Sequence, residues 1–411
     1  MRTINPRDFN RATRSTSRQI NRLILLNLVR EFQPISRAEL ARRMAVGRGM
    51  VTTLVKGLLA EGAVYEGALA DAPRGRRPKM LHVQTRDRLV AAIDIRFSRT
   101  YVSLSDFGGN QIALESFGTV FEPDQLLDEL ATRVRRLLRA HTAGGHCEGI
   151  GVVMPGMVDR RSGRVLNAPQ LGWRDVQVES GLVERTGLPV HIENSGAACA
   201  LAHMWLGPGE RGGGGGSRIR DFVYVTVSDG VGTGVVVNGE LVRGHGHTAG
   251  EFGHIPISRD GPRCLCGAQG CLEAHTSNLA TVARYLGHDL SPAVARELLQ
   301  QSSVTVDEVI RRAGGGDERA RAALVETGRY LGLGLAVMVN TLNPAQIFIG
   351  GEITAAWDLI EAPIRAEIEG RALTRQAAAT PVVPEPGGGL PRLRGAIALV
   401  AAPAFAAPQV G

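Results

Sequence analysis

The alternation of hydrophobic and polar positions predicts three short helices near the start of the chain. Apolar residues recur at helical spacing over residues 18–32, which gives this stretch one apolar face. Ser36 and Glu39 have the spacing of a capping box, in which the carboxylate reaches back to the cap, so a second helix is predicted to run to Met44. A third helix, ended by Gly62, is predicted from five apolar positions: Val51, Leu54, Val55, Leu58 and Leu59.

The other face of the third predicted helix is small or polar. A short turn around Val46 and Gly47 separates this helix from the second one, as in a helix-turn-helix. Residues on the exposed side of such a helix, or near its start, meet base edges and phosphates. We predict DNA contacts from five of them: Arg48, Met50, Thr52, Thr53 and Lys56.

Two β-like runs at residues 63–66 and 80–83 follow the third helix, and the loop between them has the character of a wing. Three arginines in this loop suit contact with phosphates or insertion into a narrow minor groove: Arg74, Arg76 and Arg77. Residues 1–88 are therefore predicted to form a winged helix-turn-helix domain that binds DNA. The alternative is a small helical protein-interaction module.

The positive charge of the chain lies at one end. Residues 1–90 contain 18 Lys or Arg and 7 Asp or Glu, so they are net positive by 11, while the rest is net negative by 4. Phosphate neutralisation supplies most of the non-specific affinity for nucleic acid, so this charge favours double-stranded DNA as a partner. An arginine-rich solvated surface is the alternative, because it would give the same charge distribution. The sequence has no run of about 18 apolar residues, which predicts a cytoplasmic chain without membrane contact.

Short runs rich in Val and Ile alternate with helical stretches from about residue 89 onward, which is typical of an α/β architecture. Residues 89–411 are taken as a second domain, with a flexible glycine-rich loop at 207–218. The tail after about residue 380 is predicted to be flexible, although residues 393–405 could form a last packed helix. A helix is predicted at 126–140, and strands at 91–94, 100–105, 111–116, 149–154, 190–193 and 222–227.

Three of the five cysteines fall within eight residues, which argues against a disulfide framework. Together with one histidine they match a closed tetrahedral Cys₃His zinc site, and the intervening glycines allow a tight turn around an ion. The predicted ligands of one structural zinc ion per chain are His254, Cys264, Cys266 and Cys271. Buried free thiols are the alternative.

Residues 249–254, followed by the run C-x-C-G-x-x-G-C-L-E, resemble the ROK family of repressors and sugar kinases. The resemblance covers most of the chain, because it includes the winged helix-turn-helix and the segments at 153–156, 167–173, 230–234 and 340–351. It implies a sugar-kinase-like fold of the actin and hexokinase type, with two α/β lobes and a sugar in the cleft near the zinc loop.

By position, the resemblance places the sugar contacts of the family on Asn194, Glu251, His254 and Glu273. Carboxylates and amides held at fixed angles can read sugar hydroxyls, because an unpaired group penalises the wrong epimer. Glu251 and Glu273 could instead be surface charges at helix ends.

Two departures from the family pattern argue against an enzyme. The kinases of the family carry an Asp directly after the Asn of Glu-Asn-Asp as the base for phosphoryl transfer, whereas this chain has Ser195 there. Their first phosphate loop is rich in glycine, whereas Arg96 and Phe97 would fill that space here. Gln170 stands where relatives often have Asn, so the ligand could be an altered sugar or a sugar derivative.

These features predict a transcriptional regulator of carbohydrate metabolism, with repression as the more usual sign. A sugar-like small-molecule effector would change the angle between the lobes and so the placement of the DNA-binding domains of a homodimer or homotetramer on an operator. Two alternatives stay open: a sugar kinase with an appended DNA-binding domain, and a DNA-binding dimer that senses no ligand.

Overall fold

The computed structural model of the chain describes residues 14–69, 78–85, 87–141, 145–206, 219–246, 248–301, 303–385 and 390–406. The predicted wing arginines Arg74, Arg76 and Arg77 and the glycine-rich loop at 207–218 lie outside these residues. The described chain forms an N-terminal domain, a lobe one and a lobe two, which comprise residues 14–85, 87–206 and 219–385.

Three helices and a three-stranded antiparallel sheet make up the N-terminal domain. Their bounds are α1 Arg14–Phe32, β1 Ile35–Ser36, α2 Arg37–Met44, α3 Arg48–Ala60, β2 Val64–Leu69 and β3 Lys79–Val83. The strand order is β1-β3-β2, so β2 and β3 form the hairpin that the sequence predicts. The apolar faces of α2 and α3 are buried, as their spacing requires.

The predicted capping box at the start of α2 is half correct. The Ser36 hydroxyl accepts a hydrogen bond from the Glu39 amide at 3.2 Å, as expected of an N-cap. The Glu39 carboxylate does not reach back but pairs with Arg42 and Arg43, which lie three and four residues later on the same helix face.

Lobe one is built on a five-stranded sheet. Its elements are β4 Arg88–Ile95, β5 Arg99–Asp106, β6 Gln111–Gly118, α4 Pro123–Ala140, β7 His146–Met154, β8 Met157–Asp159, β9 Arg164–Ala168, β10 Trp173–Gln177, α5 Val178–Thr186, β11 Val190–Asn194 and α6 Ser195–Leu206. The sheet order is β11-β7-β4-β5-β6, with β7 parallel to β4 and β5 antiparallel to it. Strands β8, β9 and β10 form a small separate sheet.

Lobe two repeats this topology. Its elements are β12 Phe222–Val227, β13 Val231–Val237, β14 Glu240–Leu241, α7 Leu272–Thr276, α8 Asn278–Leu286, α9 Pro292–Gln301, α10 Val306–Gly314, α11 Glu318–Leu342, β15 Gln346–Gly350, α12 Trp357–Glu369, α13 Arg375–Ala378 and β16 Val382–Pro384, followed by α14 Pro391–Ala401. The order of this sheet is β14-β13-β12-β15-β16. It matches the sheet of lobe one, strand for strand, when that sheet is read from its other edge as β6-β5-β4-β7-β11. The repeated order defines the two-lobed α/β fold.

Helix α11 is long and apolar enough to cross a membrane by length and composition alone. Its apolar residues, however, pack within the main core of lobe two, and 61% of its most apolar window is buried there. This pattern is that of a core helix.

Two helices connect the lobes. Helix α6 follows β11 of lobe one but packs against β12 and β13, whereas α14 follows lobe two and packs against β4 and β7. They touch at Gly395, where a Cβ atom would lie 2.4 Å from the Ala198 carbonyl oxygen, so only glycine allows this approach. Of the two predictions for the tail after about residue 380, the last packed helix is confirmed, because the apolar spacing that starts at Leu393 buries one face of α14. Residues 382–384 form the edge strand β16, so this part of the tail is ordered despite its composition.

The N-terminal domain rests on the far ends of these two connecting helices. The side-chain amide of Asn27 in α1 donates to the Phe405 carbonyl at 2.8 Å. The Arg30 guanidinium lies 4.5 Å from the ring centroid of Trp205, near the end of α6, and 4.8 Å from that of Phe405. The domain is therefore attached to the elements that join the lobes.

Candidate ligand cleft, metal site and DNA-binding surface

The four predicted metal ligands come together at one point of lobe two. One ligand atom from each of His254, Cys264, Cys266 and Cys271 lies within 4.8 Å of all the others. The two Sγ atoms of Cys266 and Cys271 are 3.8 Å apart, and His254 Nδ1 lies 3.7 Å from Cys264 Sγ. A tetrahedral zinc ion with Zn–S distances of about 2.3 Å separates two sulfurs by about 3.8 Å, so the side chains fit such an ion.

A tight turn brings the cysteines together. The Gly267 amide donates to the Cys264 carbonyl at 3.0 Å, and Gly267 has a φ of 97°, which glycine adopts without steric cost. A β-bridge between Pro256 and Cys271 places the end of the cysteine turn close to His254, which is the last residue of a 3₁₀ turn. The spacing of the cysteines in the sequence is therefore the spacing that this turn needs to bring their side chains together.

Burial acts against ionisation of the thiols. It raises the pKa of Cys271 to about 11 and raises that of Cys264 as well, with the Glu273 carboxylate adding to the effect on Cys264. Metal binding requires thiolates, so a divalent cation would supply the positive charge that the site lacks. Three thiolates and one imidazole would leave no open position for substrate, which is the pattern of a structural site.

The four predicted ligand contacts line one cleft between the lobes. Asn194 enters the cleft from lobe one, and Glu251, His254 and Glu273 enter it from lobe two. Glu273 is buried and Glu251 half-buried, so the alternative that both are surface charges is wrong. The space that remains in the cleft is about 50 Å³, whereas ligand pockets usually measure roughly 300–1,000 Å³.

Asn194 has a structural task that the sequence analysis missed. Its Oδ1 accepts from the Gly196 amide at 2.8 Å and from the Ala197 amide at 3.4 Å, and its Nδ2 donates to the Gly156 carbonyl at 2.8 Å. Asn194 therefore caps the N-terminus of α6, and one Nδ2 hydrogen is left to reach a ligand. An asparagine directly before a helical run was the available signal.

Glu273 and Gln170 face each other across the glycine-rich turn between β12 and β13. Glu273 Oε2 accepts from the Val231 amide at 2.9 Å, and its Oε1 lies 3.6 Å from Cys264 Sγ. A Cβ atom on Gly230 would lie 2.2 Å from Gln170 Nε2 and 2.6 Å from Glu273 Oε2. Glu273 thus joins the cysteine turn to the cleft, and Gln170 closes the cleft from the side of lobe one.

Glu251 is poised between two protonation states. Burial is the main cause that raises the pKa of Glu251, His254 opposes it and the Glu273 carboxylate adds to it, and together they bring the pKa to about 7. Near neutral pH the carboxyl group can therefore donate or accept a hydrogen bond, and both are useful against a sugar hydroxyl.

The two positions that depart from the kinase pattern are buried at the cleft. Ser195 is buried at the start of α6 and presents a hydroxyl where the kinases of the family have a carboxylate. Arg96 Nε lies 2.7 Å from Asp94 Oδ2, and Arg96 Nη1 lies 2.9 Å from Glu352 Oε1. The Arg96 guanidinium thus occupies the loop as predicted, but its ion pair with lobe two was not foreseen.

The five residues of α3 predicted to contact DNA are all exposed on one surface of the N-terminal domain. The Thr52 and Thr53 hydroxyls donate to carbonyls one turn earlier, at 2.8 Å and 3.1 Å, which leaves their oxygen lone pairs facing outward. Met50 is 44% exposed and adds an apolar side chain to this surface. These side chains join Arg48 and Lys56 in one basic and apolar surface.

A two-lobed α/β fold with one topology repeated around a cleft defines a sugar-kinase-like protein, and here a winged-helix domain precedes it. A sequence profile of the ROK family matches residues 90–402. The chain therefore belongs to the ROK family.

Individual relatives include both repressors and kinases. The xylose repressor of Caldicellulosiruptor bescii is 28% identical over 375 residues, which cover 87% of this chain and 90% of the relative. A glucokinase of Halalkalibacterium halodurans is 33% identical over 247 residues, which cover 59% of this chain and 73% of the relative. The crystal structure of a ROK family transcriptional regulator, a homologue of the Escherichia coli MLC protein, matches with a TM-score of 0.76 at 24% identity and covers 95% of this chain and 97% of its own.

Proposed function

We propose that the chain is a DNA-binding transcriptional repressor of carbohydrate metabolism, and that its kinase-like domain binds a sugar or sugar derivative as the effector. The observation that carries the proposal is the junction of the N-terminal domain with α6 and α14. Both helices begin at the cleft, near Asn194 and Arg392, and both lead to the contacts with Asn27 and Arg30. A change in the lobe angle would therefore move the DNA-binding domain.

The alignment with repressors supports the same function. The xylose repressor aligns over 87% of this chain, so the alignment extends beyond the kinase-like part, whereas the glucokinase aligns over 59%. The exposed surface of α3 then supplies the operator contacts, with the predicted wing arginines Arg74, Arg76 and Arg77 as additional contacts. We further propose a homodimer or homotetramer in the cytoplasm, in which two α3 helices read half-sites about one DNA turn apart.

Zinc is the metal we propose for the site formed by His254, Cys264, Cys266 and Cys271. Zinc accepts this ligand set in tetrahedral geometry, and the observed sulfur separation suits it. Because Glu273 contacts both the cysteine turn and the cleft, the ion would fix the shape of the effector site. Its task is structural.

A ligand screen tests the effector part of the proposal. We expect one sugar or sugar derivative among neutral, amino and phosphorylated hexoses and pentoses to raise the melting temperature of the full chain. A ligand at about 100 times its Kd stabilises by about 2.7 kcal/mol. The same compound should release the protein from a duplex selected out of a random DNA pool, measured by fluorescence anisotropy. A chain that binds DNA but responds to no compound would be the ligand-independent dimer instead.

A kinase assay tests the enzyme alternative. We expect no ADP release above background with the same sugars and ATP, because the chain lacks both the general base and the open phosphate loop. The measurement is a coupled enzyme readout of ADP, with a ROK glucokinase as the positive control. Turnover above background that disappears in Ser195→Ala would establish the kinase alternative.

A further inference from the structure

The two connecting helices are fixed on different lobes at the ends that meet the N-terminal domain. Near the end of α6, His203 Nδ1 lies 2.9 Å from Glu385 Oε1, and the His203 ring centroid lies 3.8 Å from that of Phe348 on β15. Both partners belong to lobe two. After α14, the buried Phe405 ring lies 6.2 Å, between centroids, from Phe107, which follows β5 of lobe one. The end of α6 is therefore fixed on lobe two, and the end of the α14 segment on lobe one.

Helix α1 of the N-terminal domain contacts both of these ends. The hydrogen bond from Asn27 to the Phe405 carbonyl attaches α1 to the end that lobe one holds. The Arg30 guanidinium lies 4.5 Å from the ring centroid of Trp205, two residues after His203, and 4.8 Å from that of Phe405. The centroids of the two rings are 6.4 Å apart. Arg30 thus bridges a ring that lobe two holds and a ring that lobe one holds.

The end of the N-terminal domain is attached to lobe one by the chain itself. The Phe107 amide donates to the Thr85 carbonyl at 3.4 Å and to the Arg88 carbonyl at 2.8 Å. The Arg88 guanidinium, at the start of β4, lies 3.6 Å from the ring centroid of Phe107. These contacts carry the domain on lobe one, and the contact between Arg30 and Trp205 adds lobe two to the attachment.

The Trp205 end of α6 is sensitive to the angle between the lobes. The two connecting helices meet at Ala198 and Gly395, three residues after Ser195 and Arg392, which line the cleft. Trp205 lies seven residues beyond Ala198, which is about 10 Å along a helix at 1.5 Å per residue. A rotation of about 15°, as occurs between subunits of allosteric proteins, moves the end of such an arm by roughly 2–3 Å. Cation–π attraction needs a centroid distance within about 6 Å, so this movement can break the contact.

We propose that Arg30 transmits the angle between the lobes to the DNA-binding domain, through its contact with Trp205. Asn27 and the chain connection carry the domain on lobe one, and Arg30 lets lobe two tilt it. This inference rests on the proposed function and assigns its transmission step to one contact. Arg30 lies neither in the cleft nor on α3, so it is a positioning residue that acts through Trp205.

The attachment of the DNA-binding domain to each lobe can be measured without an effector. Exposed positions for spin labels on keto-bearing amino acids, which leave the cysteines unchanged, are Ala60 on α3, Arg139 on α4 of lobe one and Glu361 on α12 of lobe two. Double electron–electron resonance is recorded on the full chain, diluted with unlabelled protein. We expect Arg30→Met to broaden the distance distribution from the N-terminal domain to lobe two and to leave that to lobe one unchanged. No broadening, or equal broadening of both, would overturn the proposal.

The transmission itself is measured as a ratio of operator affinities without and with sugar. D-xylose, D-glucose and N-acetylglucosamine are the probes, and the operator is the duplex selected from the random DNA pool. For whichever sugar binds, we expect saturation to weaken operator binding by at least about fivefold in the wild type and by less than about twofold in Arg30→Met. A residue that merely supported the fold would lower both affinities and leave the ratio unchanged. A wild-type ratio in Arg30→Met would overturn the proposal and leave the proposed function intact.

Matched variants separate the contact with Trp205 from the charge of Arg30. Arg22→Met removes the same charge from α1, but Arg22 pairs with Glu61 inside the N-terminal domain, so its ratio should equal that of the wild type. A lost charge weakens operator binding equally with and without sugar and therefore cancels in the ratio. Trp205→Leu should lower the ratio as Arg30→Met does, whereas Trp205→Phe, which keeps a ring, should retain most of it. Combining Arg30→Met with Trp205→Leu should add little, because both remove one interaction.

The outcomes distinguish the role of Arg30 from the proposed function. A lost ratio in Arg22→Met as well as in Arg30→Met would overturn the specific role of Arg30. If none of the probe sugars binds, the transmission falls together with the effector part of the proposed function, and broadening toward lobe two would leave Arg30 as an attachment only. Wild-type metal content and cooperative unfolding would establish that the variants are folded.

Discussion

Replacing Cys271 by serine is expected to abolish metal binding and to lower the stability of the protein by about 4 kcal/mol or more. Loss of a structural metal belongs to the small group of single changes with effects of this size. Cys271 is buried, its sulfur lies 3.8 Å from that of Cys266, and a serine hydroxyl is a much weaker zinc ligand than the thiolate that it would replace. Because Glu273 joins this site to the cleft, effector binding should be lost as well.

Metal analysis by mass spectrometry and thermal unfolding check this result. The wild-type chain should contain about one zinc per chain and the variant almost none. Cys147→Ser is the matched control, because Cys147 is also buried but lies in β7, outside the cluster of four ligands. A Cys271→Ser protein that keeps its zinc, or a metal-free wild type with an unchanged melting temperature, would contradict the assignment.

The combined variant Arg48→Ala with Lys56→Ala is expected to lose roughly thirtyfold in operator affinity near 0.15 M salt. Each lost phosphate contact lowers the slope of log K against log salt by about 0.9, so two contacts remove about 1.8 from the slope. Both residues are exposed on α3 in the described structure, so the fold should be unaffected. The measurement is a salt titration of binding by fluorescence anisotropy.

A control with the same change in charge makes this prediction specific. Arg139→Ala with Arg321→Ala also removes two positive charges, but these exposed arginines lie on α4 and α11 of the kinase-like part. We expect its salt slope to equal that of the wild type. An equal loss in both double variants would mean that net charge, rather than the surface of α3, determines affinity.

Local signals explain what the sequence predicts well. The helices of the N-terminal domain follow from apolar spacing and from the Ser36 cap, and the metal ligands follow from residues that one turn brings together. The strand predicted at 222–227 has the observed bounds, since a buried run of β-branched residues is short and self-contained. The wing contacts stay a prediction.

Long-range pairing explains what the sequence does not reveal. Arg96 and Glu352 are 256 residues apart, and no local pattern indicates that the two carboxylates of Asp94 and Glu352 share one guanidinium. The repeated strand order of the lobes is likewise a property of packing rather than of spacing. The composition of the tail predicts flexibility and its apolar spacing predicts a helix, and only packing, in which Gly395 closely approaches Ala198, decides that α14 is a core element.

The contact between Asn27 and Phe405 has a consequence for folding during synthesis on the ribosome. The two residues are 378 positions apart, so at about 5–20 residues per second roughly 20–75 s pass between their synthesis. A domain generally folds as a unit once its own sequence has emerged. The N-terminal domain would therefore be folded long before α14 and Phe405, which it contacts, have been synthesised. During that interval each nascent chain would present its α3 surface free of any control by the sensor.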